Sequence, residues 1–192
     1  ETAIIVMKFG GTSVADIDCI KNVANKVAAQ YKKNKKIVVV VSAMSGTTNN
    51  LIDLTKQVSK DRNLQEYDVV VSSGEQVTAG LLSMALNSKE IPSRSFMGWQ
   101  IPVFTDTTFS KANITEISID FLMHALNRNE IAVIPGFQGV TDENQITTLG
   151  RGGSDTSAVA IASALNAKRC DIYTDVDGIY TTDPNVVPEA KK

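Results

Sequence analysis

The sequence predicts an α/β domain built on a mostly parallel sheet, and three observations carry that reading. Apolar, β-branched segments alternate with stretches of helical period, the pattern that places helices between parallel strands. The first alternation closes a βαβ unit, from residues 3–9 through an amphipathic helix to KIVVVVS at 36–42. Two glycine-rich turns, at residues 10–13 and within TLGRGGSDTSA (148–158), stand where a strand hands over to a helix.

The elements follow in order. In the first helix Ile17, Ile20, Val23, Ala24, Val27, Ala28 and Tyr31 recur at three- and four-residue spacings and draw one apolar stripe. It ends in KKNKK (32–36), cations that suit the negative end of a helix dipole and face water. Helical patterns recur over 48–60, 75–87 and 119–127, and strands are expected at 93–97, 103–105, 131–135 and 169–175. YDVVVSS (67–73) stays open: its valines favour a strand, while its place before a helix suits a first helical turn. SDTSAVAIASALNA (154–167) opens on a Ser/Asp start signal and sets Ala158, Val159, Ile161, Ala162 and Leu165 on one face. No internal repeat, low-complexity tract or linker interrupts the chain, and 192 residues that are 43% hydrophobic suffice for one core.

Composition narrows the function. With 19 basic against 21 acidic residues and a net charge of −2, the chain lacks the electrostatic footprint of a nucleic-acid binder. No strictly apolar run is longer than that at residues 37–41, which falls far short of the ~20 needed to span a bilayer, and the start lacks a signal-peptide layout. A cytoplasmic protein that acts on small molecules, without nucleic acid or membrane, is expected. Cys19 and Cys170 are too few and too far apart for a disulfide framework or a zinc site. His124, in FLMHALNRN, lies in a helical stretch remote from every motif and reads as a structural or surface residue.

Chemistry concentrates in three places. In VMKFGGTSV (6–14) a strand turns through Gly10 and Gly11 into Thr12 and Ser13, where backbone N–H groups can meet an anion. Its lysine precedes the glycines, so it is neither a Walker A loop nor GxGxxG, and a plain tight turn is the competing reading. In the second turn Arg151 offers a fork for a carboxylate or phosphate, or else a surface ion pair, and Asp155 could organise a lysine or a metal ion. Two such turns in one parallel sheet can converge at its carboxyl edge, where open α/β folds bind ligands. The third place, YTDVDGIYTTDP (173–184), delivers Thr174, Asp175 and Asp177 to a strand end and Tyr180 just beyond. These residues suit ribose hydroxyls, Mg²⁺ and a base, or simply the chemistry of a turn.

Together the motifs resemble the amino acid kinase superfamily, and within it the aspartokinase family. KFGGTSV (8–14), VVSAMSGTTNNL (40–51), SSGEQ (72–76), GFQG (136–139), TTLGRGGSDTSA (147–158) and TDVDGIYTTDP (174–184) stand in that family's order and at its spacing over almost the whole chain. The resemblance implies a three-layer αβα sandwich and ATP-dependent phosphorylation of the β-carboxylate of L-aspartate, the first step of aspartate-family amino acid biosynthesis. It implies ATP with Mg²⁺ as cofactors, L-aspartate as substrate, and association into a homo-oligomer.

Residue by residue, it implies that Lys8, Gly10, Gly11 and Ser13 hold the ATP phosphates, that Asp155 orients Lys8, and that Ser42 lies near the phosphates. Thr174, Asp175 and Tyr180 would belong to the nucleotide pocket. Thr47, Glu75 and Arg151 would hold L-aspartate, Glu75 facing its α-ammonium and Arg151 its α-carboxylate, with Phe137 and Ser154 lining that pocket. A carboxylate acceptor, with an ordinary pKa of about 3.9, is already an anion and needs no general base, which suits a chain with one histidine. Two departures stand out. Asn185 occupies the TxDPR arginine position of many members, and the family's kinase domain continues past the position of Lys192 into further elements and ACT domains. An incomplete kinase domain, truncated at its C-terminus, is therefore expected. A superfamily kinase of another amino acid carboxylate or of carbamate, or a ligand-binding fragment without turnover, are the alternatives.

Overall fold

A computed structural model describes residues 2–150 and 152–174, and the backbone of 179–182. A six-stranded sheet runs through the centre in the order β10-β9-β1-β2-β6-β3. Its strands are β1 (Ile5–Phe9), β2 (Ile37–Val41), β3 (Ser93–Ser95), β6 (Ile131–Pro135), β9 (Arg169–Tyr173) and β10 (Ile179–Thr182). All neighbours pair in parallel except β10, which lies antiparallel on the β9 edge. A smaller sheet, β5-β4-β7-β8, gathers β4 (Val103–Thr105), β5 (Ile114–Ile117), β7 (Gln138–Val140) and β8 (Ile146–Thr148).

Helices cover both faces of the central sheet, giving the expected α/β layering. α1 (Ile17–Lys33) and α4 (Ser73–Asn87) bury Val23, Val27, Leu82 and Leu86 against Met7, Phe9, Val39 and Val41. On the other face α5 (Asp120–Asn127) and α6 (Gly153–Ala164) bury Leu122, Leu126 and Ile161 against Val6, Val38, Val40 and Ile134. Each of these side chains, taken fully out of water, contributes roughly 1.5–3 kcal/mol. Alternation along β1 has a direct consequence for chemistry. Because Val6 faces α6 while Met7 and Phe9 face α1 and α4, Lys8 also points to the α6 side.

The ambiguous segment 67–73 is helical. α3 (Leu64–Val71) starts at Asn63, whose side chain accepts from Glu66 N, and ends at Ser72, where α4 begins. Burial of Asp68 and Val71 at i, i+3 overrides the strand preference of the intervening valines. α2 (Thr47–Val58) completes the set. The stretch Leu64–Asn87 is long and apolar enough to cross a membrane by composition, but half of its most apolar window is buried inside the domain.

Several boundaries move. The first strand starts at Ile5 and not residue 3, and the strand expected over 93–97 stops at Ser95, where the chain leaves the central sheet for the turn before β4. The helix expected over 48–60 spans Thr47–Val58 and ends as Ser59 turns extended. That expected to 167 stops at Ala164, with Asn166 in the left-handed region at φ 52°. The last expected strand ends at Tyr173, and Asp175 lies outside the described residues.

Candidate active site

The carboxyl ends of β1, β2, β6 and β9 open on one side into a cavity of about 660 Å³. Strand order makes this the edge where chains leave the sheet in different directions, the usual ligand position of open α/β folds. β1 delivers Lys8, Gly10 and Gly11 to its wall, β2 delivers Ser42, and the turn after β6 delivers Phe137. α6 adds Ser154 and Asp155, α4 adds Glu75, and the end of β9 adds Thr174.

Lys8, only 7% exposed, ends 2.6 Å from Asp155 Oδ1, and the Asp155 side chain is itself half-exposed. The pair spans the two glycine turns that stand far apart in sequence. Around it, Ser42 and Ser154 share a hydrogen bond between hydroxyls at 2.7 Å, and Gly10 N donates to Tyr173 O at 3.3 Å. Two helices start here without a side-chain cap: α2 at Gly46 (φ 79°) and α6 at Gly152 (φ 88°). The positive ends of these two helix dipoles, beside a buried ammonium, make this part of the cavity electropositive.

Glu75 adds a carboxyl to the same cavity. Glu75, in the first turn of α4, is 3% exposed, and its Oε2 has no hydrogen-bond partner. Burial raises its pKa from 4.5 to about 7, although the backbone N–H groups of Glu75 and Ala43 partly offset the shift. A buried carboxyl with one oxygen unsatisfied is a site for a cation or a donor.

Phe137 sits beside this wall in the left-handed region, φ 71°, a strained place for an aromatic residue. Its N–H donates to Ser157 Oγ at 2.9 Å and its carbonyl accepts from Leu149 N at 2.8 Å. Both backbone bonds fix the turn that presents the ring.

Not every expected residue reaches the wall. Ser13 turns away to donate to Thr174 O at 2.6 Å, bracing the two strand ends. Thr47 places its methyl group toward Gly74, and its neighbours Thr48 and Asn49 line the cavity instead. Arg151 and Asp175 lie outside the described residues, as does the side chain of Tyr180. Ser157 falls within the TTLGRGGSDTSA motif but was given no role there; its hydrogen bond to the Phe137 N–H, invisible in sequence, reveals its part.

Comparison with known proteins identifies the family. The profile of the amino acid kinase family matches residues 3–192. An aspartokinase of Rickettsia felis is 53% identical over 193 aligned residues, covering 99% of this chain and 48% of that protein. The aspartate kinase of Synechocystis has a solved structure that superposes with a TM-score of 0.77 at 46% identity, over 98% of this chain and 31% of the other. Aspartokinase III of E. coli, solved in complex with aspartate and ADP, superposes with a TM-score of 0.78 at 30% identity, over 98% of this chain and 53% of the other. The chain thus spans about half the length of the curated relatives it matches. With the profile matched almost end to end and a mostly parallel sheet carrying the motif residues at its carboxyl edge, this chain belongs to the amino acid kinase family.

Proposed function

We propose that the chain provides the site of an ATP-dependent kinase that converts L-aspartate to 4-phospho-L-aspartate, an entry step of amino acid biosynthesis. The observation that carries this reading is that one cavity is lined by both the Lys8–Asp155 ion pair and the Glu75 carboxyl with its unsatisfied Oε2. The first suits phosphates and the second an ammonium. Similarity to proteins named aspartokinase, including one solved with aspartate and ADP, supports the choice of substrate.

In this reading an oxygen of the substrate's β-carboxylate attacks the γ-phosphorus of ATP. A P–O bond forms to give the acyl phosphate, the bond to the β-phosphate oxygen breaks, and ADP leaves with that electron pair. The acceptor is an anion at neutral pH, so no residue has to remove a proton. The protein's task is to hold two anions together and offset charge on the transferring group. Lys8 does this from a water-poor position where its charge is little screened, and Asp155 holds the amine in place. Gly11 and the first turns of α2 and α6 offer backbone N–H groups to the phosphates, Gly10 keeps a side chain away from the Lys8 ammonium, and Ser42 stands beside them. Thr174, Asp175 and Tyr180 are assigned to the nucleoside. Glu75 takes the α-ammonium and Arg151 the α-carboxylate, Phe137 and Ser154 shape the pocket, and Thr47 supports it from behind, packed toward Gly74. Ser13 acts through Thr174, bracing the phosphate turn.

Mg²⁺ fits this site as a companion of the nucleotide. Among the described residues no group of three or more His, Cys, Asp or Glu forms a cage, and Mg²⁺ in phosphoryl-transfer sites is commonly held by phosphates plus one or two carboxylates. Asp155, half-exposed on the phosphate side, is the described carboxylate placed to assist. When bound, the ion neutralises phosphate charge.

Titration calorimetry tests the assignment of the two groups. L-Aspartate should bind, and succinate, which keeps both carboxylates but lacks the ammonium, should bind at least tenfold more weakly. Equal affinity for the two would refute the role of Glu75.

A further inference from the structure

Asp68 lies on α3, outside the cavity, and is fully buried. Its carboxylate accepts from Thr148 N at 2.9 Å, from Thr148 Oγ1 at 2.7 Å, and from Ser110 N at 2.9 Å. All three partners are donors, so the site requires acceptors at both oxygens. Thr148 ends β8, and across the β7–β8 ribbon it pairs with Gln138. Gln138 is also buried, and it grips the same helical unit a turn later, its Nε2 donating to Ser72 O at 3.0 Å while its Oε1 accepts from Gly98 N at 2.8 Å.

One cross-strand pair therefore holds the α3–α4 junction at two points. What lies just beyond each contact gives the arrangement meaning. Three residues after Ser72 stands Glu75; directly before Gln138 stands Phe137; and Thr148 leads into Gly150 and the start of α6, which carries Ser154 and Asp155. We infer that Asp68, with Thr148 and Gln138, is a positioning clamp that sets the placement of Glu75 relative to Phe137 and the α6 start, and so sets the fit for the amino acid substrate. The clamp rests on the reading of Glu75 as the ammonium site. It touches neither substrate nor nucleotide.

Asp68→Asn tests it, since an amide keeps the shape but turns a donor toward two or three donors. In the full-length gene product, aspartate KM should rise about tenfold or more while ATP KM stays within about twofold, because small misplacements of a binding wall are costly. Thr148→Val should move aspartate KM in the same direction, Thr148→Ser should restore it, and Asp68→Asn combined with Thr148→Val should cost less than the two singles multiplied. Unchanged aspartate KM, or equal rises in both KM values, overturns the clamp. A second readout needs no activity: amide hydrogen exchange in Asp68→Asn should quicken about tenfold in 73–78 and in 148–150, with β1 and β2 unchanged. If the wild type fails to phosphorylate aspartate, the substrate reading fails while exchange still decides the clamp; unaltered exchange in either segment overturns it. Should Asp68→Asn not fold, the Thr148→Val and Thr148→Ser pair carries both measurements.

Discussion

The ammonium of Lys8 stands 2.6 Å from the Asp155 carboxylate, and that contact joins the end of β1 to the first turn of α6 across 146 intervening positions. Lys8→Ala removes the charge nearest the phosphate end. Turnover should fall by about 10²–10³-fold, the usual cost of losing a preorganised charge-stabilising group. The fold should survive, because Asp155 is half-exposed and regains water. Steady-state kinetics with a thermal melt checks both; near-normal turnover would remove Lys8 from the phosphate site.

Glu75 predicts a pH dependence in substrate binding. Its pKa, raised by burial to about 7, means that below neutrality the ligand-free site carries a neutral carboxyl, which attracts an ammonium poorly. Aspartate KM should therefore climb below pH 7, approaching tenfold per unit, with ATP KM nearly flat. In Glu75→Gln the aspartate profile should be flat and weak throughout. A wild-type profile that is flat from pH 5.5 to 8 would contradict the burial effect.

The same group has a consequence for stability, with a definite sign. A carboxyl whose pKa is higher folded than unfolded binds more protons in the native state between the two values. Stability from Glu75 is present at low pH and is lost as pH rises from about 4.5 through about 7. The loss is on the order of 3 kcal/mol for the ligand-free protein. Urea unfolding of wild type against Glu75→Gln, at pH 5 and pH 8, should show the variant gaining relative stability at pH 8. An equal difference at both values would contradict this.

Gly136 allows the turn after β6 to pass close to α6. A Cβ there would stand 2.5 Å from Ser154 Cβ and 2.9 Å from Ser154 Cα. Gly136→Ala must push back the helix start that carries Asp155, at a cost of about 1–3 kcal/mol. Reduced melting temperature together with reduced turnover is the expected pair of results; wild-type values in both would count against this packing.

Much of this was legible in the sequence, for reasons the structure makes plain. β1, α1, β2 and β6 have long uniform patterns, because both sheet faces are covered and nearly every strand side chain is buried. The second sheet was not legible beyond β4. β5, β7 and β8 are three or four residues long, and polar residues such as Gln138 and Thr148 are buried there by hydrogen bonds from distant segments. α3 stayed ambiguous because its valines obey local preference while Asp68, which decides its placement, answers to Thr148. At the site, the glycine turns announced Lys8 and Asp155. The unsatisfied state of Glu75 arises from the fold around it and has no signature in SSGEQ.

The central claim is that an acyl phosphate forms on L-aspartate. Trapping with hydroxylamine measures it most directly: the protein, ATP and Mg²⁺ are incubated with L-aspartate, L-glutamate, N-acetyl-L-glutamate or carbamate, and the hydroxamate is quantified. Product from aspartate, absent without ATP and lost in Lys8→Ala, is the predicted result. Product from N-acetylglutamate or glutamate and none from aspartate would contradict the account.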